Sequence, residues 1–455
     1  LEVEEPTTLP VVTGDNYKAR IAELVQLGKT FGLTHLVVYG DREHYSNLYY
    51  LTGFDPRFEE ALLVLSEGEI PTLIVGNEGL LYAKDIPYDL NVELYQTFSL
   101  MGQARDQQPG HLEQLLRQSG LSQEAKVGLI GWKFFTDDEV TDPAHCFEVP
   151  HFIVQTLSGI VGPKNIRNAN DLMLHPEYGV RITLDVKELV LAEVGGTKAS
   201  QAMLRVLRAL EPGMSELEAS RYLCLDGYPL SIHPNVNFGA ENVSLWVASP
   251  KHNSRLQIGD VMNVAVGYRG GLAARTGVYV RDASELPGHL KDVVDELYKP
   301  YFHALCRWYE AIRIGNTGGQ VFDEVYQSLG DFGRYGIGLN PGHLIHTDEW
   351  TNSIFFRGSK HEIRSGMAIQ CDMIASPGEP YVGVHVEDGI IVADEATRKV
   401  IQQNYPETWN RVQARRKFMR DVLGINLAEE VLPTSDVAGA LFPYLGNLSV
   451  VLAQE

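Results

Sequence analysis

Two carboxylates interrupt apolar runs in the last quarter of this chain. Asp372 follows Ile369-Gln370-Cys371, and Glu387 follows Val384-His385-Val386. Such runs read as buried strands, where a carboxylate is costly unless it meets a partner. His343, in Gly342-His343-Leu344-Ile345-His346, lies 29 residues before Asp372 on a third strand-like piece. A fold that brings these strands together puts one imidazole and two carboxylates where they can hold a hard or borderline cation. The alternative partners are a substrate ammonium or guanidinium, or Arg275 as a structural counter-charge.

At 455 residues the chain is longer than one core usually serves, so two domains are expected. Its apolar runs, such as 61–65, are too short to span a bilayer, which excludes a membrane partner. A net charge of −21 without any Lys/Arg-rich block excludes a nucleic-acid partner. Cys146, Cys224, Cys306 and Cys371 are scattered and form no CxxC, so they read as free thiols in a reducing, cytoplasmic compartment. The first residue is Leu1 rather than Met, which leaves room for a removed signal peptide.

Residues 1–14 read as an extended arm, and 15–165 alternate helix and strand as an α/β domain. The pattern blurs around 163–185, where the boundary is placed, and a second domain is expected over 175–425. There, a helix over 186–210 stops at Glu211-Pro212-Gly213, and Ser215 is the expected N-cap of the next helix. Residues 232–281 read as β, 289–330 as helix, 334–394 as β, and about 395–423 as one helix. A helix-helix-strands block thus occurs twice, which suggests an internal pseudo-repeat. A tail over 426–455 is left without a role, its last part (431–455) included.

The ordered set Glu211-Pro212-Gly213-Met214-Ser215-Glu216, Ile232-His233-Pro234 with Phe238-Gly239, Gly259-Asp260-Val261, Arg275-Thr276, Gly342-His343, Gly366-Met367 and Glu387-Asp388-Gly389 resembles the pita-bread hydrolases: methionine aminopeptidase, prolidase, aminopeptidase P and creatinase. Tyr50-Leu51-Thr52-Gly53-Phe54 resembles part of the small domain that precedes the catalytic one in prolidase and creatinase. The resemblance implies an α/β N-terminal creatinase-like domain plus an α+β C-terminal pita-bread domain. The latter has a pseudo-twofold repeat and a curved antiparallel sheet with helices on one face. It also implies a homodimer.

In that family two Asp, one His and two Glu hold two metal ions around one attacking hydroxide. His343, Asp372 and Glu387 match the His and the two Glu. The two Asp positions fall on Ala265 and Leu272, and no Asp or Glu lies between Asp260 and Asp282. Trp246 stands where the family has a further His. Two cations close together need several carboxylates, so no dinuclear centre is expected. On this reading the chain has no cofactor, and His343, Asp372 and Glu387 are vestigial ligands. The alternative is one divalent metal (Mn, Fe, Co or Zn) on those three residues, with His385 or His346 assisting.

Three functions follow from the resemblance. One is a metal-independent, creatinase-like hydrolase acting on a C–N bond of a small cationic substrate. His343, His346 and His233 are then the catalytic candidates. Asp372, Glu387, Arg275, Tyr268 and His385 are the substrate-binding candidates. The second is a catalytically inactive binding scaffold, and the third an Xaa-Pro peptidase with an unusual single-metal site. In each the ligand is a small molecule or short peptide. Asp348-Glu349 reads as a solvated loop and Cys371 as an inert buried thiol.

Overall fold

The computed structural model describes residues 4–454. The chain divides into two compact units, Val11–Ile182 and the described residues on either side of it.

The first unit is built on six strands: β1 (His35–Gly40), β2 (Ala61–Ser66), β3 (Thr72–Val75), β4 (Asn91–Leu94), β5 (Val127–Ile130) and β6 (Ile166–Asn168). Their order is β4-β3-β2-β1-β5-β6. The β1–β5, β3–β4 and β5–β6 pairs are parallel, and β1–β2 and β2–β3 antiparallel. Both faces are covered. Leu36, Val38 and Leu63 pack with Leu24 of the helix Gly14–Thr30, and Val37, Tyr39 and Leu62 pack with Leu115 and Ile153 of two other helices. Burial on both faces explains why these strands are near-continuous apolar runs. Leu172, Met173 and Val180 join this core, so the unit continues past β6 to Ile182.

The second unit carries β7 (Asn235–Phe238), β8 (Val261–Tyr268), β9 (Gly271–Val278), β10 (His343–Leu344), β11 (Ala368–Gly378), β12 (Val382–Val392) and β13 (Val431–Pro433). All pairs are antiparallel, in the order β10-β11-β12-β9-β8-β7, with β13 on β12. Two three-stranded blocks therefore meet at β12–β9. Each follows a helix pair, Val186–Ala209 with Glu216–Ser220, and Lys299–Ala311 with Gly318–Leu329. The second helix of each pair opens with a capping box, Ser215 with Glu218 and Thr317 with Gln320. The pseudo-repeat therefore extends to the helix starts, and the sheet is the curved antiparallel one expected. The helix Val186–Ala209 lies so close to the β8–β9 turn that a Cβ on Gly271 would stand 2.2 Å from the Gly196 nitrogen, so the approach requires glycine there.

The helix expected over 395–423 is two, Glu395–Asn404 and Pro406–Asp421, because Pro406 has no N–H to continue the first. The residues read as a tail take part in this unit. β13 extends the sheet, and Asp436 accepts from Arg415 Nε at 3.0 Å. Arg411 and Arg415 converge on Glu193, which is fully buried in the long helix. Among the described residues no helix is long and apolar enough to cross a membrane.

Candidate functional site

Strand register assembles the site. Asn235, Ala265, Ala274, Glu387 and Asp372 are successive direct partners across β7, β8, β9, β12 and β11. Direct partners in an antiparallel sheet share a face, so this rung runs from apolar to acidic along one surface. His385, two residues before Glu387, projects to the same face, as does His343, whose partner on β11 is Gln370. Gly342 lets the chain enter β10 there. Its φ is +133°, and a Cβ would stand 2.7 Å from the Gln370 carbonyl oxygen.

The His343 Nδ1 lies 3.1 Å from the Leu344 carbonyl, which can only accept, so Nδ1 carries the proton. Nε2 faces the carboxyl groups. It stands 3.6 Å from Glu349 Oε1, 3.6 Å from Glu387 Oε1 and 3.9 Å from Asp372 Oδ2. Neither this Nε2 nor Glu387 Oε1 has a hydrogen-bond partner, although both are buried. Trp350 stacks on the His343 ring at 4.2 Å between centroids and fixes its plane. His385 Nε2 lies 2.8 Å from Asp372 Oδ1 and 3.7 Å from Glu387 Oε2.

Burial, with the Asp372 and Glu349 charges behind it, pushes the Glu387 carboxyl well above the usual range. Burial likewise raises Asp372, but His385 and then His343 outweigh it and hold that carboxyl below its ordinary value. Glu349 is raised chiefly by burial.

Glu349, Asp372, His385 and Glu387 line a cavity of about 580 Å³, with His343 behind them. Two sets of donors, His343–Glu349–Glu387 and Asp372–His385–Glu387, each lie within 4.8 Å of one another. Ligand atoms about 2.1 Å from a tetrahedral cation stand about 3.4 Å apart, close to the spacing around His343 Nε2. The donor set and its two unpartnered atoms therefore fit one divalent cation.

The expected site residues separate. His343, Asp372, His385 and Glu387 come together, and His233, exposed, lines the same cavity with Trp246. His346 pairs with Glu188 at 2.7 Å and does not line the cavity. Tyr268 lies against Tyr228, 5.9 Å between centroids, and is also outside it. Arg275 points from the other face of β9, where it donates to Asp388 at 2.8 Å and to the Ala440 and Val437 carbonyls. Arg275 therefore balances Asp388, not Asp372 or Glu387. Glu349, read as part of a solvated loop, is instead folded onto His343. Leu344 and Asn352 bridge and close the turn that carries it. Its only signal in the sequence is an acidic side chain beside Trp350, six residues after His343. Cys371 is buried, and burial first, with Asp388 next, pushes its thiol up, as suits an inert group.

Residues 192–394 match the model of metallopeptidase family M24. The chain is similar in structure to the prolidase from Thermococcus sibiricus (TM-score 0.65, 18% identity, covering 83% of this chain and 95% of that one). It is also similar to an Xaa-Pro dipeptidase from Bacillus anthracis (0.63, 17%, 84% and 96%) and to an X-Pro aminopeptidase from Thermotoga maritima (0.62, 16%, 82% and 95%). No curated protein matches in sequence. The expectation of a chain without a cofactor is corrected here. The matched model is that of a metallopeptidase family, and Glu349 and His385 stand in the two groups of side chains that could hold an ion. Over residues 192–394 the chain thus matches metallopeptidase family M24, and its fold is the pita-bread fold of the solved structures it is similar to.

Proposed function

We propose that the C-terminal unit is a metal-dependent hydrolase of short peptides or peptide-like amides, of the Xaa-Pro peptidase type, working with a single divalent cation. The observation that carries this reading is the Nε2 of His343, buried among three carboxyl groups with no hydrogen-bond partner. Buried polar atoms left without a partner are costly, and a cation among them would supply one.

His343, Asp372 and Glu387 would hold the ion, and their mixed N/O set suits Mn, Fe, Co or Zn. Bound there, the ion supplies Lewis acidity to a substrate carbonyl and makes water a better nucleophile at neutral pH. His385 holds Asp372 by its Oδ1, which leaves Oδ2 turned toward His343. Glu349, on the turn rather than the sheet, is the group placed to take a proton from water at Oε1 and return it to the leaving nitrogen. Its raised pKa brings it closer to the pH at which such exchange is effective. Trp246 and Trp350 exclude bulk water from the charged end. By the same family resemblance the working form is a homodimer, which light scattering would test.

Elemental analysis of protein purified without chelator, followed by Xaa-Pro dipeptide assays, tests the reading. About one equivalent of a transition metal and measurable hydrolysis are expected. Protein that neither retains nor takes up Mn, Co or Zn would sink it.

A further inference from the structure

The apolar part of the same cavity has no part in the reading above. Ala265 on β8 and Leu272 on β9 form its floor, and Ile232 borders it before β7. Ala265 and Leu272 belong to an apolar cluster with Ala274, Ile345 and Ile391, and Ile232 packs against that cluster. A Cβ on Gly267 would lie 2.5 Å from Ser231 Oγ, 3.0 Å from Ile232 Cγ1 and 3.3 Å from Leu272 Cδ1, so the two aliphatic side chains converge beside the glycine next to one hydroxyl. No Asp or Glu occurs on β8 or β9. The rung that ends in Glu387 and Asp372 thus begins at Asn235 and crosses Ala265 and Ala274 before it meets a carboxylate.

We propose that Ala265, Leu272 and Ile232 form the subsite for an apolar side chain of the substrate, directly beside a centre that holds one cation. The proposal rests on the hydrolase reading and narrows its substrate class to amides with an aliphatic or aromatic residue next to the chelated carbonyl. An apolar wall favours a ligand in proportion to the apolar surface it covers. A polar side chain packed against these three gives up its water and gains no hydrogen bond from them, the polar lining of the cavity being Asn235, Asn263 and His233 to their side. A second cation at this wall would be desolvated without a carboxylate to balance it.

The protein is titrated with Mn(II) by calorimetry, then the loaded protein with leucine hydroxamate and serine hydroxamate, two chelators that differ in the side chain. One equivalent of Mn(II) is expected, with leucine hydroxamate bound at least about tenfold more tightly. Leu272→Asn should bring the two affinities within about threefold. Ala265→Val, which narrows the subsite without adding polarity, should weaken leucine hydroxamate about tenfold and leave glycine hydroxamate unchanged. Equal affinities in the wild type, or a preference that survives in both variants, overturn the subsite while the hydrolase reading stands. Two equivalents of Mn(II) do the same. No Mn(II) binding overturns the hydrolase reading and the subsite with it.

Discussion

Asp372 and Glu387 face each other in direct register across β11 and β12, and one imidazole, that of His385, lies 2.8 Å from the first and 3.7 Å from the second. The nearer contact decides their difference. Asp372 is held below the ordinary carboxylate value, and Glu387, buried beside that charge, well above it. Neighbouring carboxyls of the same chemistry thus differ in their readiness to be anions.

Cation binding must therefore displace a proton from Glu387. Affinity for Mn(II) should rise as pH increases above the ordinary Glu value of 4.5. Calorimetry in buffers of different ionisation enthalpy should show net proton release. An affinity that is flat with pH, without proton release, would contradict this.

Replacing His343 by Ala removes the donor on which both tests of occupancy depend. Bound metal should fall from about one equivalent to a small fraction, measured by elemental analysis on chelator-free preparations. Circular dichroism should remain unchanged, because the imidazole makes one backbone hydrogen bond and no ladder contact.

Glu349→Gln separates proton transfer from cation holding. Hydrolysis of an Xaa-Pro dipeptide should drop by about 10²–10⁴-fold. Mn(II) affinity should change by only about tenfold, since the strand-borne donors are untouched. A variant that loses metal entirely but keeps its residual rate would reverse these roles.

Arg275 is a structural residue here. Arg275→Met leaves Asp388 buried without its counter-charge, which costs about 3–5 kcal/mol. Urea unfolding should show that loss, while the Mn(II) stoichiometry of the folded fraction stays the same.

Glu193 gives the pH dependence of folding. Burial raises its carboxyl, but Arg415 and Arg411 outweigh burial and leave it below 4.5. Its contribution is complete above the unfolded value and disappears as pH falls through the lower folded one. Glu193→Gln, which leaves two guanidinium groups short of a partner, should lose about 3–5 kcal/mol at neutral pH. That gap should narrow in thermal melts taken below pH 4.5.

Much of the site was legible because it stands on strands. An apolar run with a carboxylate in it gives the face of Asp372 and Glu387 directly, and the doubled helix-helix-strands order gives the sheet. The family match makes Ala265 and Leu272 visible as departures. Glu349 was not legible, because its place depends on Leu344 meeting Asn352 across a turn, and turns carry no periodicity. Arg275 was misassigned for a related reason. Its partner Asp388 is one residue from Glu387, and alternation along β12 puts neighbouring side chains on opposite faces.

His343, Asp372, His385 and Glu387 stand on strands tied by ladder hydrogen bonds, whereas Glu349 stands on a turn outside them. The centre thus has a fixed cup and a removable cover. An incoming chelating group can take the place of the Glu349 carboxylate without breaking a single strand pairing. Adjustment of the proton carrier to a substrate is therefore a matter of one turn, while the atoms that would grip the ion keep their mutual spacing.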